Sequence, residues 1–332
     1  MSMVYVQTDD ASLHVRQEHL EIRRADETLI ESVRLREVDG VVIIGRGRLT
    51  TPALVALLDA GIDTAYVSAH GRFHGRLVSM ESKNVFTRQA QFRRLDDLPF
   101  RLATAGRMVA AKIRHARLLA QRYARNHAEI AFTRELATLA RLADSSGEQP
   151  SLDELRGLEG EAARRYFALF GRMLRVASMH ITVRTRHPPL DPVNALLSFG
   201  YTLLTNEAVS AVAAIGLDPA VGVLHELHYS RPSLALDLVE EFRAAVDRLA
   251  LRLINRRQLT PEHFVPHEPE GIYLSPAGTR IVLPAFHAML TTPYCERAST
   301  ECLTLRGLLA RQAMRLKQAI NGEADYQPME WH

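Results

Sequence analysis

The chain has 332 residues, of which 47% are hydrophobic and 24% charged, a composition typical of a globular protein large enough for two domains. It contains no run of about 18 uncharged apolar residues and does not begin with a secretory signal pattern. We therefore expect a cytoplasmic protein without membrane spans. The formal net charge of +3 is too small to indicate a class of partner by itself.

Residues 1–84 are predicted to form a small β-rich domain. Turn-type residues separate seven short runs that are rich in β-branched side chains. These runs cover residues 4–6, 12–15, 20–24, 28–35, 41–44, 64–67 and 73–78. One short helix interrupts them, with Thr51 as its predicted N-cap and Gly61 as its stop. A domain of this size and pattern often serves in docking.

From residue 85 the apolar residues follow the helical period, so residues 85–325 are predicted to form a larger α-helical domain. Helices are expected at 85–126 (with a break at Pro99), 128–143, 159–180, 191–214, 233–256 and 301–320. Between the last two, residues 268–284 contain two strand-like runs around a Pro-Ala-Gly turn, which predicts an inserted hairpin. The predicted fold class is therefore α+β, with a small N-terminal β-rich domain followed by a larger α-helical domain.

Two stretches of the helical domain, residues 98–128 and 162–190, carry basic residues and no acidic residue. A face of one sign can neutralise phosphates, whereas a solvated face normally mixes both signs. Plain solvent-exposed arginines are the alternative interpretation. We predict that the DNA backbone is contacted by Arg107, Lys112, Arg114, Arg164, Arg165, Arg184 and Arg186.

Glu159 lies between two glycines at a predicted helix start, where the backbone allows close approach. A carboxylate is also favoured at a helix N-terminus, so helix capping is its alternative role. Arg164 and Arg165 follow directly on the same helix. A metal-binding acid beside a phosphate-binding face is what phosphodiester chemistry requires.

Three acidic residues, Asp237, Glu240 and Glu241, are spaced i, i+3 and i+4 on a predicted helix and should point to one side. Like charges in that arrangement repel each other, and a divalent cation would remove the repulsion. His225, a short distance upstream, could complete a mixed oxygen and nitrogen site that suits Mg²⁺ or Mn²⁺. The alternative is an acidic helix face that pairs with neighbouring arginines.

Cys295 and Cys302 are the two cysteines of the chain, and no cluster of histidines or further cysteines surrounds them. A structural zinc site would need about four such ligands. We therefore expect two reduced thiols.

Three segments, in this order, resemble the CRISPR-associated integrase/endonuclease family, the first of the Cas protein families. They read LxGLEGxAARxYF at 155–167, DPVNALLSFGYTLL at 191–204 and LHxxxxxRPSLALDLVEEFR at 224–243. The resemblance implies a metal site formed by Glu159, His225 and Glu240, with Asp237 as an auxiliary catalytic acid. Many family members have aspartate in place of Glu240, which leaves Asp237 as the alternative direct ligand.

The resemblance also implies partners and a reaction. The family's β-rich domain forms a homodimer, and a small ferredoxin-like second Cas protein bridges two dimers into a heterohexamer that carries prespacer DNA to the CRISPR repeat. A prespacer 3′-hydroxyl attacks a repeat phosphate, and water as the nucleophile gives endonuclease activity. The alternative from a different class is a non-catalytic DNA-binding scaffold with a degenerate metal site. A hydrolase of small phosphoesters is disfavoured, because a small substrate needs a pocket and not a wide basic track.

Overall fold

The computed structural model describes residues 2–8, 10–68, 73–77, 85–127, 129–185, 188–267, 271–295 and 302–329. The chain forms two compact units, one of Met1–Ser82 with Leu274–Leu283, the other of Lys83–Tyr273 with Pro284–His332. The predicted order of a β-rich region followed by a helical region is confirmed. Among the residues described, none of the helices combines the length and apolar character that crossing a bilayer requires.

The first unit contains two four-stranded sheets and a short helix. Its elements are β1 (Ser2–Val6), β2 (Ser12–Arg16), β3 (His19–Arg23), β4 (Leu29–Arg34), β5 (Val38–Ile44), β6 (Arg48–Leu49), α1 (Thr51–Asp59), β7 (Asp63–Val67) and β8 (Phe73–Leu77). One sheet has the order β1-β5-β7-β8, and the other has the order β4-β3-β2-β6. Each of the seven predicted strands is present, and only the two-residue strand β6 was not predicted.

Side-chain alternation explains why these strands were predictable. In β3, Leu20 and Ile22 are buried while the residues on either side of each are only half-buried, and Leu13 of β2 is fully buried. These three side chains join one apolar core with β1, β5 and α1. The N-cap of α1 is Thr50 rather than the predicted Thr51, and the Thr50 hydroxyl donates to the Leu13 carbonyl at 2.9 Å.

The second unit is mainly helical. In chain order, the elements after residue 84 are α2 (Val85–Leu95), α3 (Leu98–Asn126), α4 (Thr133–Ser145), α5 (Leu152–Met173), α6 (Pro192–Ala214), α7 (Ser233–Glu240), α8 (Arg243–Asn255), β9 (Phe264–His267), β10 (Gly271–Leu274), α9 (Pro276–Thr291), β11 (Pro293–Cys295), β12 (Cys302–Thr304) and α10 (Leu305–Ile320). The last residue of β10 and the first half of α9 belong to the first unit. The 29-residue α3 packs against α4, α5, α7 and α8, and α6 packs against α7, α8 and α10. This arrangement brings α3, α5 and α7 together.

Local capping explains where several of these helices begin. The Asp97 side chain accepts the Phe100 N–H at 3.1 Å, and Pro99 lies in the first turn of α3, so the expected break falls between α2 and α3. Asp191 accepts the Asn194 N–H at 2.7 Å at the start of α6.

The predicted helix over 233–256 is wrong in one respect, because it is two helices. α7 ends at Glu240 and α8 begins at Arg243, with Glu241 and Phe242 forming the junction. Both junction residues are fully buried. No glycine or proline marks the break, so tertiary packing sets it rather than local sequence.

The hairpin predicted at 268–284 is also wrong in its second half. β9 and β10 form a two-stranded sheet upstream, and the run after Pro276 is the helix α9. The Ser275 hydroxyl accepts the Gly278 N–H at 3.2 Å, which caps the start of this helix. Ser-Pro at a helix start therefore explains the segment better than a turn between strands.

The prediction of two reduced thiols is wrong as well. Cys295 and Cys302 form a disulfide. They are partners in the antiparallel pairing of β11 with β12, which places their Cα atoms 4.1 Å apart. Spacing along the chain did not reveal this pairing, because it depends on the two short strands.

Candidate active site

Glu159 lies in the second turn of α5 and not at a helix start. The helix begins at Leu152, where the Ser151 hydroxyl accepts the Glu154 N–H at 3.2 Å. The predicted helix start at Glu159 is therefore wrong, which also removes the alternative role of Glu159 in helix capping. The Glu159 side chain is 22% exposed, so a ligand can approach its carboxylate.

Lys112 of α3 joins two of the predicted metal ligands. Its Nζ contacts Glu159 Oε1 and lies 2.6 Å from Glu240 Oε2. The Lys112 side chain is only 13% exposed and that of Glu240 only 4%. Lys112 was predicted to contact the DNA backbone, and the structure places it between two carboxylates.

Glu240 is ionised in spite of its burial. Burial alone raises its pKa, but Arg243 and Lys112 together hold the pKa of this carboxyl well below its usual range. Arg243 Nε lies 2.7 Å from Glu240 Oε2. That buried oxygen has ion pairs but no hydrogen bond of good geometry, so its coordination is incomplete.

Asp237 orients His225 rather than facing the other carboxylates. Its Oδ1 lies 2.5 Å from His225 Nδ1, and the buried carboxylate accepts backbone N–H groups of Val223, Leu224 and His225 at 2.6–3.1 Å. Since an ionised carboxylate can only accept, Nδ1 carries the proton and Nε2 is the nitrogen able to bind a metal. A histidine fixed by a carboxylate in this way is typical of metal sites. The geometry favours Glu240 as a direct ligand and Asp237 as the group behind His225.

The loop that carries His225 lies against the first half of α5. Glu226, the next residue, pairs with Arg156 at 2.6 Å, and Arg156 is one turn before Glu159. Arg101 of α3 also forms an ion pair with Glu226, with 3.5 Å between Arg101 Nη2 and Glu226 Oε1. The chain therefore brings the segments that carry Glu159, His225 and Glu240 into one region.

The donor set fits a divalent ion, although the three groups do not form a closed cluster. In the described part of the chain, no three His, Cys, Asp or Glu side chains approach closely enough to hold a metal. The Lys112 ammonium lies between Glu159 and Glu240, at a position that a cation would take. Two carboxylates and an oriented imidazole are ligands that suit Mg²⁺ or Mn²⁺.

Glu241 does not join Asp237 and Glu240, contrary to the prediction from helical spacing. All three carboxylates are buried, but their partners differ. Tyr326 donates its hydroxyl hydrogen bond to Glu241 Oε1. Burial raises the pKa of Glu241 to about 8. Because α7 ends at Glu240, the i+4 geometry assumed for Glu241 does not hold.

A cleft of about 520 Å³ opens beside the carboxylates. Its polar lining residues are Lys112, Glu159, Tyr166, Arg184, Tyr201, Arg243 and Asp247, and the remainder of its lining is apolar. Asp247 accepts hydrogen bonds from Tyr201 and, at 2.8 Å, from Tyr166. Burial raises the pKa of Asp247 to about 6.

Sequence reasoning missed the roles of Tyr201 and Asp247, whereas Arg243 is one of the neighbouring arginines that the alternative interpretation paired with the acidic helix. A single aspartate in the apolar stretch of α8 was the signal that could have identified Asp247. Arg184, predicted to contact DNA, instead donates to Asn194 Oδ1 at 2.7 Å and to Ser198 Oγ at 3.0 Å. It therefore lines the cleft and is anchored to α6.

The other predicted DNA-contacting residues that the structure describes are paired with acids that lie just outside the two acid-free stretches or far from them in sequence. Arg107 pairs with Asp325 and Arg114 with Asp144, at 2.9 and 3.6 Å, while Arg164 and Arg165 both pair with Glu161. Arg186 lies outside the described residues. Basic residues in a sequence stretch without acids can therefore still have acidic partners in the folded structure.

Comparison with known proteins gives consistent matches. A family model described as CRISPR associated protein Cas1 matches residues 4–288. A CRISPR-associated endonuclease Cas1 of Moorella thermoacetica is 35% identical, over 98% of this chain and 96% of the relative. Another, of Rhodospirillum rubrum, is 36% identical over 100% of this chain and 98% of the relative. A solved chain of a Cas6-RT-Cas1–Cas2 complex superposes with a TM-score of 0.83 at 26% identity, covering 98% of this chain and 36% of that chain.

Proposed function

The chain belongs to the Cas1 family of CRISPR-associated endonucleases, and we propose that it is a metal-dependent DNA endonuclease and integrase that inserts spacers into CRISPR arrays. One observation carries the proposal, the approach of Glu159 and Glu240 to a single cation, the Lys112 ammonium. His225, which Asp237 orients, lies on a loop that pairs with α5 through Glu226 and Arg156. The helical region, residues 85–325, is its catalytic domain. The β-rich region, residues 1–84, is its dimerisation domain.

Glu159, Glu240 and Nε2 of His225 would hold Mg²⁺ or Mn²⁺. A divalent ion at such a site supplies Lewis-acid stabilisation of the charge on a phosphate. Lys112 and Arg243 add positive charge on the protein side, and the Glu159 side chain is exposed enough to meet a DNA strand.

Two reactions follow from one site. In integration, the oxygen of a prespacer 3′-hydroxyl forms a bond to a repeat phosphorus, and the bond from that phosphorus to the repeat 3′-oxygen breaks. With water as the nucleophile, the same displacement is hydrolysis and gives endonuclease activity. A nicking assay on supercoiled plasmid tests the proposal: we expect nicked DNA with Mn²⁺ and none with a chelator.

A non-catalytic DNA-binding scaffold is the second candidate, because Lys112 bridges the two carboxylates and could be their permanent partner. The same assay separates the two candidates. A scaffold would retain the plasmid in a binding assay and leave it intact at every Mn²⁺ concentration.

Asp237→Asn is expected to weaken Mn²⁺ binding about 10- to 100-fold, the usual cost of losing a partner that orients a metal-binding histidine. The amide keeps the shape of the side chain but loses the charge that fixes the Nδ1 proton. Calorimetric titration with Mn²⁺ measures the effect, and Asp153→Asn, at an exposed position of α5, is the matched control. Equal affinity in the two variants would contradict the role given to Asp237.

Exposed arginines of α5 are proposed to hold the DNA backbone together with those of α3. Each phosphate contact contributes about 0.9 to the slope of log affinity against log salt for duplex DNA. The double variant Arg164→Ala/Arg165→Ala should therefore bind more weakly, with a slope smaller by up to about 1.8. Fluorescence anisotropy between low and moderate salt measures this, with Arg16→Ala of the first unit as control. An unchanged slope would remove these two arginines from the DNA track.

We also propose the family's assembly for this chain. The β-rich domain would form a homodimer, and a small ferredoxin-like second Cas protein would bridge two dimers into a heterohexamer. The match to a chain of a complex that contains Cas1 and Cas2 supports this partner. Prespacer and repeat DNA are the proposed nucleic-acid ligands.

A further inference from the structure

The segment that follows α10 folds back onto the helical unit. Tyr326 and Met329 are buried, with Tyr326 only 1% exposed and among the largest fully buried side chains. The Gln312 side chain of α10 donates to the Gln327 carbonyl at 2.9 Å. Residues 324–329, called the tail below, are therefore anchored by two buried side chains and a hydrogen bond to α10.

The tail is attached to α3 through Arg107. This guanidinium donates to the Tyr326 carbonyl at 3.0 Å and to the Asp325 carboxylate at 2.9 Å. Arg107 therefore holds the backbone of Tyr326 through its carbonyl and the side chain of the residue before it. The consequence is that the Tyr326 hydroxyl has a defined position inside the unit.

That hydroxyl donates to Glu241 Oε1 at the α7–α8 junction. The Glu241 carbonyl is within hydrogen-bonding distance of His115 Nδ1 of α3, at 2.8 Å. The tail thus contacts the side chain of Glu241 at the junction, and α3 contacts the backbone carbonyl of the same residue. Because no glycine or proline defines this junction, these tertiary contacts set its geometry.

Glu240 is the residue directly before Glu241 and the last residue of α7. Loss of the Tyr326 hydroxyl would leave the buried Glu241 carboxyl short of a hydrogen bond, which is costly. The cheapest relief is a rotation of the junction that brings this carboxyl nearer to water. The same rotation would turn Glu240 away from Lys112 and Glu159.

We propose that Tyr326 is a positioning residue for the metal centre, which it serves by holding the α7–α8 junction through Glu241. The inference rests on the proposed function, since it takes Glu240 as a metal ligand. Tyr326 itself touches none of the three proposed ligands in the described contacts.

Tyr326→Phe tests the proposal, because it removes the hydroxyl and keeps the ring. We expect Mn²⁺ affinity, measured by calorimetry on the full chain without DNA, to fall about 10-fold or more, as for other groups that orient ligands. The turnover number for nicking should fall while KM for DNA stays unchanged. The matched control is Tyr294→Phe, which removes another buried hydroxyl, 2.5 Å from Arg248 Nη2.

Variants at Glu241 complete the test. The Gln side chain can still accept the Tyr326 hydroxyl, so Glu241→Gln should retain near wild-type Mn²⁺ affinity, while Glu241→Leu should resemble Tyr326→Phe. The double variant Glu241→Leu/Tyr326→Phe should be no weaker than Glu241→Leu, since the two residues act as one unit.

The possible results of these experiments overturn different parts of the proposal. Wild-type Mn²⁺ affinity in Tyr326→Phe would overturn the positioning role and leave the metal site intact. An equal loss of affinity in Tyr326→Phe and Tyr294→Phe would show a general structural effect and would also overturn it. If the wild-type protein binds no Mn²⁺, the proposed function and this inference both fail.

Discussion

Replacing Glu159 with glutamine is expected to reduce DNA nicking and integration by more than about 100-fold, the upper end of the loss seen for residues that only support a ligand. The amide has no charge to offer a divalent ion, and Glu159 is one of the two carboxylates that meet at the Lys112 ammonium. The free energy of unfolding should change by no more than about 1 kcal/mol, because the side chain is only partly buried and glutamine has the same shape.

Initial rates of Mn²⁺-dependent nicking, together with urea denaturation, measure both parts of this result. Glu154→Gln, the same substitution at an exposed position of α5, is the matched control and should leave the rate unchanged. Wild-type rates in Glu159→Gln would exclude this carboxylate from the reaction.

Lys112→Met is expected to lower the free energy of unfolding of the metal-free protein by about 3 kcal/mol, the lower end of the cost of breaking a buried ion pair. The substitution leaves Glu240 and Glu159 near each other without the cation between them. Arg243 still contacts Glu240, which limits the loss. Because no ammonium has to be displaced, Mn²⁺ should stabilise this variant more than it stabilises the wild type.

Urea denaturation with and without Mn²⁺ measures the effect. Lys317→Met is the matched control, since its ammonium donates to the Ile215 carbonyl at 3.0 Å and touches neither carboxylate. Mn²⁺ should increase the free energy of unfolding of Lys317→Met no more than it increases that of the wild type. If Lys112→Met unfolds at the same urea concentration with and without Mn²⁺, then Lys112 and the metal do not share a position.

The β-rich region could be predicted because β-branched runs and the turn residues between them are local signals. In β3, Leu20 and Ile22 are both buried and lie two residues apart, as expected for one face of a strand. The helical region could be predicted for the same reason, because the helical spacing of its apolar residues is also a local signal. The break after Glu240 could not be predicted, because it depends on the buried contacts of Glu241 with Tyr326, 85 residues away.

The sequence predicted which residues belong to the candidate site, but it did not predict which of them contact each other. Two of the three family-like segments contain Glu159, His225 and Glu240, but only the structure places Asp237 behind His225. Lys112 was assigned to DNA because no acid lies near it in sequence, whereas its partner Glu159 is 47 residues away. Which charged side chains pair with each other depends on the folded structure, and a run of like charges in the sequence does not reveal these pairs.

A crystal structure of the protein soaked in Mn²⁺, with anomalous scattering to locate the ion, tests the central claim most directly. We predict one Mn²⁺ bound by the carboxylates of Glu159 and Glu240 and by Nε2 of His225, with the Lys112 ammonium moved out from between the carboxylates. A map in which Lys112 still bridges Glu159 and Glu240, with Mn²⁺ absent or bound elsewhere, would contradict the account.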